Sequence, residues 1–295
     1  MDLRMMEYAC EVYRQRSITK AAEALRMAQP SLSQQLAKLE DELGVTLFER
    51  GRTGAIPTKH GDRFVEQAEQ ILRMQEDLTR EMRERSQGMV GELVIGAPAI
   101  TGGRILPSLI RAFNQKYKDT QVRLVEETTD QLEQLAVQGV TDLSILALPI
   151  RDERLATTTL LTESLYLAVP RREQRGRRGV SLKDYATSPF ILLKNGYGFR
   201  QTVLALCAEN GFQPDIAYET SSIETAQAMV AHGLGVTVVP EMVRRQTGVV
   251  PVYYPLDPPA TRTLVFVYRK DRYLSLAAQA FLQVYKELYD QRGGS

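Results

Sequence analysis

Cysteine is nearly absent: Cys10 and Cys207 are the only two among 295 residues, far apart and without a CxxC spacing. That excludes a disulfide framework, fits a reducing compartment and leaves both thiols as small buried side chains. Histidine is as scarce, with only His60 and His232. One lies beside a glycine-rich turn and the other ends a helical segment before a glycine, so structural roles are expected for both. There is no GxSxG, no P-loop, no GxGxxG and no cluster with metal-ligand spacing, and the neighbouring Glu126 and Glu127 fall on a strand and face opposite sides. No catalytic residue, metal site or cofactor is expected. Long apolar runs are missing too. The best of them, residues 143–148 and 233–240, fall far below the roughly 20 residues needed to cross a bilayer. The first 13 residues mix charges among apolar side chains, with no apolar run leading to a small-residue cleavage site, so no signal peptide is read there. The expectation is a cytoplasmic protein without a membrane partner. Charge of one sign is lacking as well: 37 basic residues meet 36 acidic ones, for a net charge of +1. Any contact with nucleic acid must therefore come from a local surface.

A hydrophobic fraction of 43% with 25% charged residues is that of a globular protein, and 295 residues exceed one ordinary core. Residues 1–58 are helical in period. Residues 59–88 continue with apolar residues at helical spacing and end in the pair Gly88 and Gly91, which stops the helix. Beyond it, strand-like runs at 92–97, 121–126, 143–148, 164–169, 190–193, 216–219 and 235–239 alternate with helical segments at 105–117, 129–139, 199–210 and 223–232. That alternation predicts βαβ units with mainly parallel strands, in two successive sets that suggest paired subdomains. The arginine-rich stretch 171–178 contains Gly and follows Pro170, which favours a solvated loop over a phosphate site.

The strongest signal lies in residues 17–40. Ala21, Ala22 and Leu25 form a small-residue face on a short helix, which lets a second helix cross closely. A tight break follows at residues 26–29, and Pro30 suits the first turn of the next helix, where its missing N–H costs nothing. On that helix Leu32, Leu36, Leu39 and Leu43 share one face and predict core. The opposite face presents Pro30, Ser31, Gln34 and Lys38, with Ser33 at its flank: short or amide side chains for base edges and one cation for phosphate. The acids Glu40, Asp41 and Glu42 are confined to the far end, which can point away from a duplex. Residues 44–61 then read as a strand, a glycine-rich turn and a return, a wing that sets Arg50 and Arg52 to meet phosphates or the minor groove.

Ala-Ala-Glu-Ala-Leu, Ala-Gln-Pro-Ser-Leu-Ser-Gln-Gln-Leu, Leu-Glu-Asp-Glu-Leu-Gly-Val-Thr-Leu-Phe-Glu-Arg and Thr58-Lys-His-Gly61 resemble, in order and spacing, the N-terminal signature of LysR-type transcriptional regulators. The resemblance implies a multidomain protein along the whole chain: a winged helix-turn-helix at 1–58, a coiled-coil linker (dimerisation) helix at 59–88, and an effector-binding region at 92–295. That last region is expected to have the type 2 periplasmic-binding-protein-like α/β fold, with one subdomain from 92–163 and 268–295 and the other from 164–267. It also implies that Gln29, Pro30, Ser33 and Gln34 lie at the major groove and that Arg50, Arg52 and Thr58 lie near the backbone or wing.

In the linker, Phe64, Ala68, Ile71, Gln75, Leu78 and Met82 follow the alternating spacing of a coiled-coil seam, with Gln75 a polar interruption that either fixes register or faces solvent. A homodimer is expected, and with it promoter DNA of partial dyad symmetry. The resemblance adds pairing of dimers into a homotetramer.

In open α/β sheets ligands gather beyond the carboxyl ends of strands, where helix N-termini supply N–H donors. The loops at 97–103, 127–129, 195–200 and 221–223 meet that rule. Ala99, Ile100, Thr101 and Gly102 are expected to line an effector site, with Thr101 and the amides of Gly102 and Gly103 cradling an anion. The resemblance places an effector-binding Ser or Thr at the position of Ile100; here the hydroxyl comes one residue later, which counts against a simple carboxylate effector. It also assigns a second hydroxyl to Thr129, a loop on the other lobe to Gly198 and Phe199, and the wall beneath it to Ile223. Arg200 either adds charge or pairs with an acid, and Thr101 and Thr129 either meet ligand or cap helices. The expected function is effector-responsive DNA binding. A solute-binding protein or an α/β enzyme would explain the C-terminal region alone.

Overall fold

A computed structural model describes residues 1–51, 54–87, 91–173 and 179–290. The chain divides into two compact units, Met1–Ser86 and Gln87–Ser295. The expected stop at Gly88, the wing residue Arg52 and most of the arginine-rich loop, residues 174–178, lie outside the described residues.

The first unit begins with α1 (Leu3–Gln15), capped by the Asp2 carboxylate, which accepts the Met5 N–H at 2.9 Å. Ser17 caps α2 (Ile18–Ala24), where Ala21 and Ala22 are buried and keep the helices close. The recognition-type helix α3 (Gln29–Leu43) carries Pro30 in its first turn and ends at Gly44, whose φ of +69° suits glycine. Leu32, Leu36 and Leu39 are buried against Ala9, Val12 and Leu47, each worth about 1.5–3 kcal/mol of burial. Leu43 is only partly buried.

Strands β1 (Phe48–Gly51) and β2 (Gly54–Pro57) pair antiparallel as the wing. At Gly54, φ is +117° and a Cβ would run into the Arg16 carbonyl, which accepts the Ala55 N–H at 2.9 Å. Glycine is required there for the wing to dock on the end of α1.

The long helix α4 (Lys59–Gln87) follows. Phe64 and Ala68, expected in a seam between chains, instead help cover Met6, Cys10 and Tyr13 of their own chain, together with Val65 and Leu72. The exposed apolar stripe therefore starts later than the spacing implied, because α1 already covers the first turns. Farther along, Ile71, Met74, Leu78 and Met82 are 41%, 68%, 59% and 49% exposed. Their three- and four-residue steps set them on one stripe, and Gln75 is exposed beside it.

In the second unit the order is β3 (Gly91–Ala97), α5 (Ala99–Lys116), β4 (Thr120–Glu126), α6 (Thr129–Gln138), β5 (Leu143–Ala147), β6 (Leu155–Val169), β7 (Pro189–Leu193), α7 (Gly198–Glu209), β8 (Asp215–Thr220), α8 (Ile223–Ala231), β9 (Thr237–Pro240), β10 (Val252–Pro255), β11 (Thr261–Arg269) and α9 (Leu276–Asp290). The main sheet runs β10-β6-β11-β5-β3-β4, with β9 also on β6. Only β3 with β4 and β5 is parallel there; β11 is antiparallel to β5 and β6, as β9 and β10 are to β6. The expectation of mainly parallel strands is thus corrected to a mixed sheet.

Four hydrophobic clusters fill this unit among the described residues, the two largest of them in different lobes. Leu93, Ile145, Leu160, Phe266 and Phe281 belong to one, and Leu165, Leu167, Phe190, Val203 and Val238 to the other. Strand β6 contributes to both, and its neighbour β11 runs beside it from Thr261 opposite Ser164 to Arg269 opposite Leu155. These strands carry the chain between two lobes.

Candidate functional site

On α3, Gln29, Pro30, Ser31, Gln34 and Lys38 are exposed and Ser33 is half-buried, opposite the buried leucines. The side chains of Gln29, Ser31, Ser33, Gln34 and Lys38 make no hydrogen bond or ion pair to any described residue. Their donors and acceptors are therefore uncommitted, as base edges and phosphates require. Glu40, expected merely to point away from a duplex, accepts the Leu47 and Phe48 N–H groups at 2.6 and 3.0 Å and ties α3 to the wing. Arg50 lies in β1. Thr58 has a structural task as well: its hydroxyl donates to the Thr46 carbonyl at 2.7 Å and accepts the Gly61 N–H at 3.1 Å, capping α4.

The second unit holds a cleft of about 40 Å³. Its wall takes Ile100 and Thr101 from α5, Thr129 from α6, Gly198 and Phe199 from α7, and Ile223 from α8. Ala99, Gly102 and Arg200 are not part of that wall. Helix α5 starts at Ala99 instead of beyond Gly103, so the expected anion cradle is a helical turn: Pro98 stands at the N-cap and its carbonyl takes the Gly102 N–H at 2.8 Å. Arg200 is buried by two bonds of its own, to the Leu193 carbonyl at 2.6 Å and to the Glu219 carboxylate.

Neither threonine is a cap. The N-cap of α6 is Thr128, in a reciprocal capping box with Gln131. That leaves the Thr129 hydroxyl to accept the Gly198 N–H at 2.9 Å, joining the lobes across the cleft. A Cβ at Gly198 would lie 2.9 Å from Thr129 Cγ2, so the approach needs glycine. Thr101 is 4% exposed, and its hydroxyl bonds to no described residue.

Sequence reasoning missed Arg262, which also lines the cleft. Both it and its cross-strand neighbour Glu163 are 8% exposed. Arg262 Nε donates to Glu163 Oε1 at 2.8 Å, and Glu163 Oε2 accepts the Met242 N–H at 2.8 Å. The guanidinium lies 5.1 Å from the Phe199 ring centroid. Burial pulls its pKa down, opposed by the Glu163 charge; an arginine stays cationic nonetheless. A lone cation in the apolar strand Thr-Arg-Thr-Leu-Val-Phe-Val was the available signal.

The only two cysteines of the chain, Cys10 and Cys207, are buried, and burial pushes both thiols up to about 11. Among the described residues no group of His, Cys, Asp and Glu could hold a metal ion, and no helix is long and apolar enough to cross a membrane.

Two family models match the chain: the bacterial regulatory helix-turn-helix protein, lysR family, over residues 3–62, and the LysR substrate binding domain over residues 86–290. An uncharacterized HTH-type transcriptional regulator of Bacillus subtilis, YcgK, is 50% identical, with 99% of this chain and 96% of that protein covered. The DNA-binding transcriptional dual regulator OxyR of Escherichia coli is 33% identical, with 94% of each chain covered. A full-length OxyR variant of Pseudomonas aeruginosa superposes with a TM-score of 0.69 at 28% identity, covering 97% of this chain and 94% of that one. With a winged reading head, a long helix and a two-lobed periplasmic-binding-protein-like region in the order those families prescribe, the chain belongs to the LysR family of DNA-binding transcriptional regulators and is not an enzyme.

Proposed function

We propose that this regulator works in the cytoplasm as a homodimer that reads promoter DNA of partial dyad symmetry and answers to a small molecule held between its two α/β lobes. The supporting observation is the uncommitted polar face of α3 set against its buried leucines. In this reading Gln29, Pro30, Ser31, Ser33, Gln34 and Lys38 meet the major groove, and Arg50 and Arg52 serve the wing. The working units are 1–58 for DNA, 59–88 for dimerisation and 92–295 for the effector. Two chains pair along Ile71, Met74, Leu78 and Met82, whose exposed apolar stripe lies beyond the turns covered by α1. Dimers pair again into tetramers.

The effector meets Ile100, Thr101, Thr129, Gly198, Phe199 and Ile223. Several relatives are named hydrogen peroxide-inducible genes activators. Here a thiol signal is disfavoured, because peroxide reacts with thiolate and both thiols are held near 11 by burial. Ligand capture is the alternative the cleft supports. An electrophoretic shift with the intergenic DNA beside the protein's own coding region tests the first half: a salt-sensitive, sequence-selective complex is expected, and equal retention of unrelated DNA refutes the proposal. A thermal-shift screen of metabolites tests the second, since a ligand of the folded state raises the melting temperature.

A further inference from the structure

Helices α5 and α9 meet at Phe113 and Phe281, whose ring centroids lie 5.3 Å apart. Between the same two helices the second unit holds a cavity of about 190 Å³, against about 40 Å³ in the cleft. The two share no wall residue. The cavity takes Ile105 and Leu109 from α5, Leu161 from β6, Met242 from the turn after β9, and Tyr285 and Leu288 from α9. Its polar members are Arg104, Ser108 and Tyr289. The Tyr285 hydroxyl is spent on the Leu160 carbonyl, and Ser108 Oγ donates to the Ile105 carbonyl at 3.2 Å. The Tyr285 and Tyr289 rings, 4.6 Å apart, make one side of the wall aromatic. Arg104 is exposed, and its guanidinium bonds to no described residue. Protein interiors fill to crystal density, so an apolar void of this size calls for an occupant. An engineered cavity of about 150 Å³ with a comparable lining takes up benzene.

We propose that this cavity is a ligand site of its own, for a neutral single-ring phenol, and that it works independently of what the cleft holds. The lining selects against an anion. A carboxylate would have to shed its water beside Leu109, Leu161 and Leu288. Arg104 repays little of that cost, because an exposed charge pair is screened by solvent. A phenol asks for less: its ring takes the apolar wall, and its one oxygen accepts from the free guanidinium. The volume admits a ring with one small substituent. The site also backs onto the cleft. Met242, on the cavity wall, donates its N–H to Glu163, which in turn holds Arg262 in the wall of the cleft. Leu161 of the cavity stands opposite Leu264 of the cleft on the paired strands β6 and β11. Filling the cavity therefore braces the backbone behind the cleft wall.

The test uses full-length protein with p-cresol and its anionic counterpart p-toluate, read by calorimetry and by NMR of methyl-labelled methionine. p-Cresol is expected to bind about tenfold or more tightly than p-toluate and to shift the Met242 methyl resonance. Ser108→Trp, at an exposed position on the cavity wall, plugs the space without touching the core and is expected to weaken p-cresol about tenfold or more. Leu161→Phe fills it from the opposite side and is expected to do the same. Binding of p-toluate as tight as that of p-cresol overturns the proposal. So does p-cresol affinity that falls less than about threefold in Ser108→Trp, or binding that leaves the Met242 methyl unmoved, since the ring then sits elsewhere. No binding of p-cresol up to about 10 mM overturns it as well, and leaves the cleft untouched as the effector site.

Discussion

In the N-terminal unit the uncommitted polar side chains stand outside, on the exposed face of α3, whereas in the C-terminal unit Thr101 and Arg262 are buried residues of a cleft wall. The difference follows from the size of what each unit meets. A duplex is a large polyanion whose groove admits a protruding helix, so its readers must project from the protein and bear full hydration until contact. A small molecule must surrender most of its surface, so its readers are concave and already dry. Substitutions of the reading side chains themselves should therefore cost recognition without stability in the first unit, and both together in the second.

Replacing Ser33 and Gln34 together by glutamate should have the largest effect, lowering promoter affinity about a thousandfold, or about 4 kcal/mol, with unfolding temperature shifted by no more than about 2 °C. Undiminished binding in a gel shift breaks the contrast at its root. Gly54→Val should cost about 3 kcal/mol in denaturant unfolding of the first unit, since both φ and the Arg16 carbonyl oppose it; a loss below about 1 kcal/mol refutes the docking of the wing. Thr129→Val removes the acceptor of the Gly198 N–H and should cost about 1–2 kcal/mol, read as faster amide exchange at Gly198.

Gly103→Ala, on an open stretch of α5 with nothing within 4 Å of the new methyl, should instead stabilise by about 0.5–1 kcal/mol, and a loss shows that the helix start is wrong. The smallest effect concerns Asp152, held down to about 2 chiefly by the Arg154 hydrogen bond. Its depressed value stabilises the fold above the unfolded pKa of about 3.9, and that contribution is lost as pH falls toward 2. Arg154→Ala should return the Asp152 titration toward about 3.9 by NMR and narrow its gap from wild type as the medium is acidified.

The reading helix was legible because α3 states its two faces every 3.6 residues within one segment: Leu32, Leu36 and Leu39 inside, Ser31, Gln34 and Lys38 outside. Arg262 was not, because its meaning depends on Glu163, 99 residues away. The start of α5 was hidden by Pro98 and two glycines that suggest a loop, although proline suits a helix entry and Gly102 is needed where a Cβ would lie 3.0 Å from that of Ala97. The first half of β6 was passed over for its threonines. Thr157 and Thr159 are exposed between more sheltered neighbours, the alternation of a strand with one face toward solvent.

The two hydrogen bonds that Glu40 accepts carry a mechanical consequence. By clamping the entry of the wing to the end of α3, that carboxylate makes helix and hairpin a single stiff jaw. A shift in the distance between half-sites is then to be taken up by bending or splaying of the shaft beyond Leu72, with the jaw keeping its own bite unchanged.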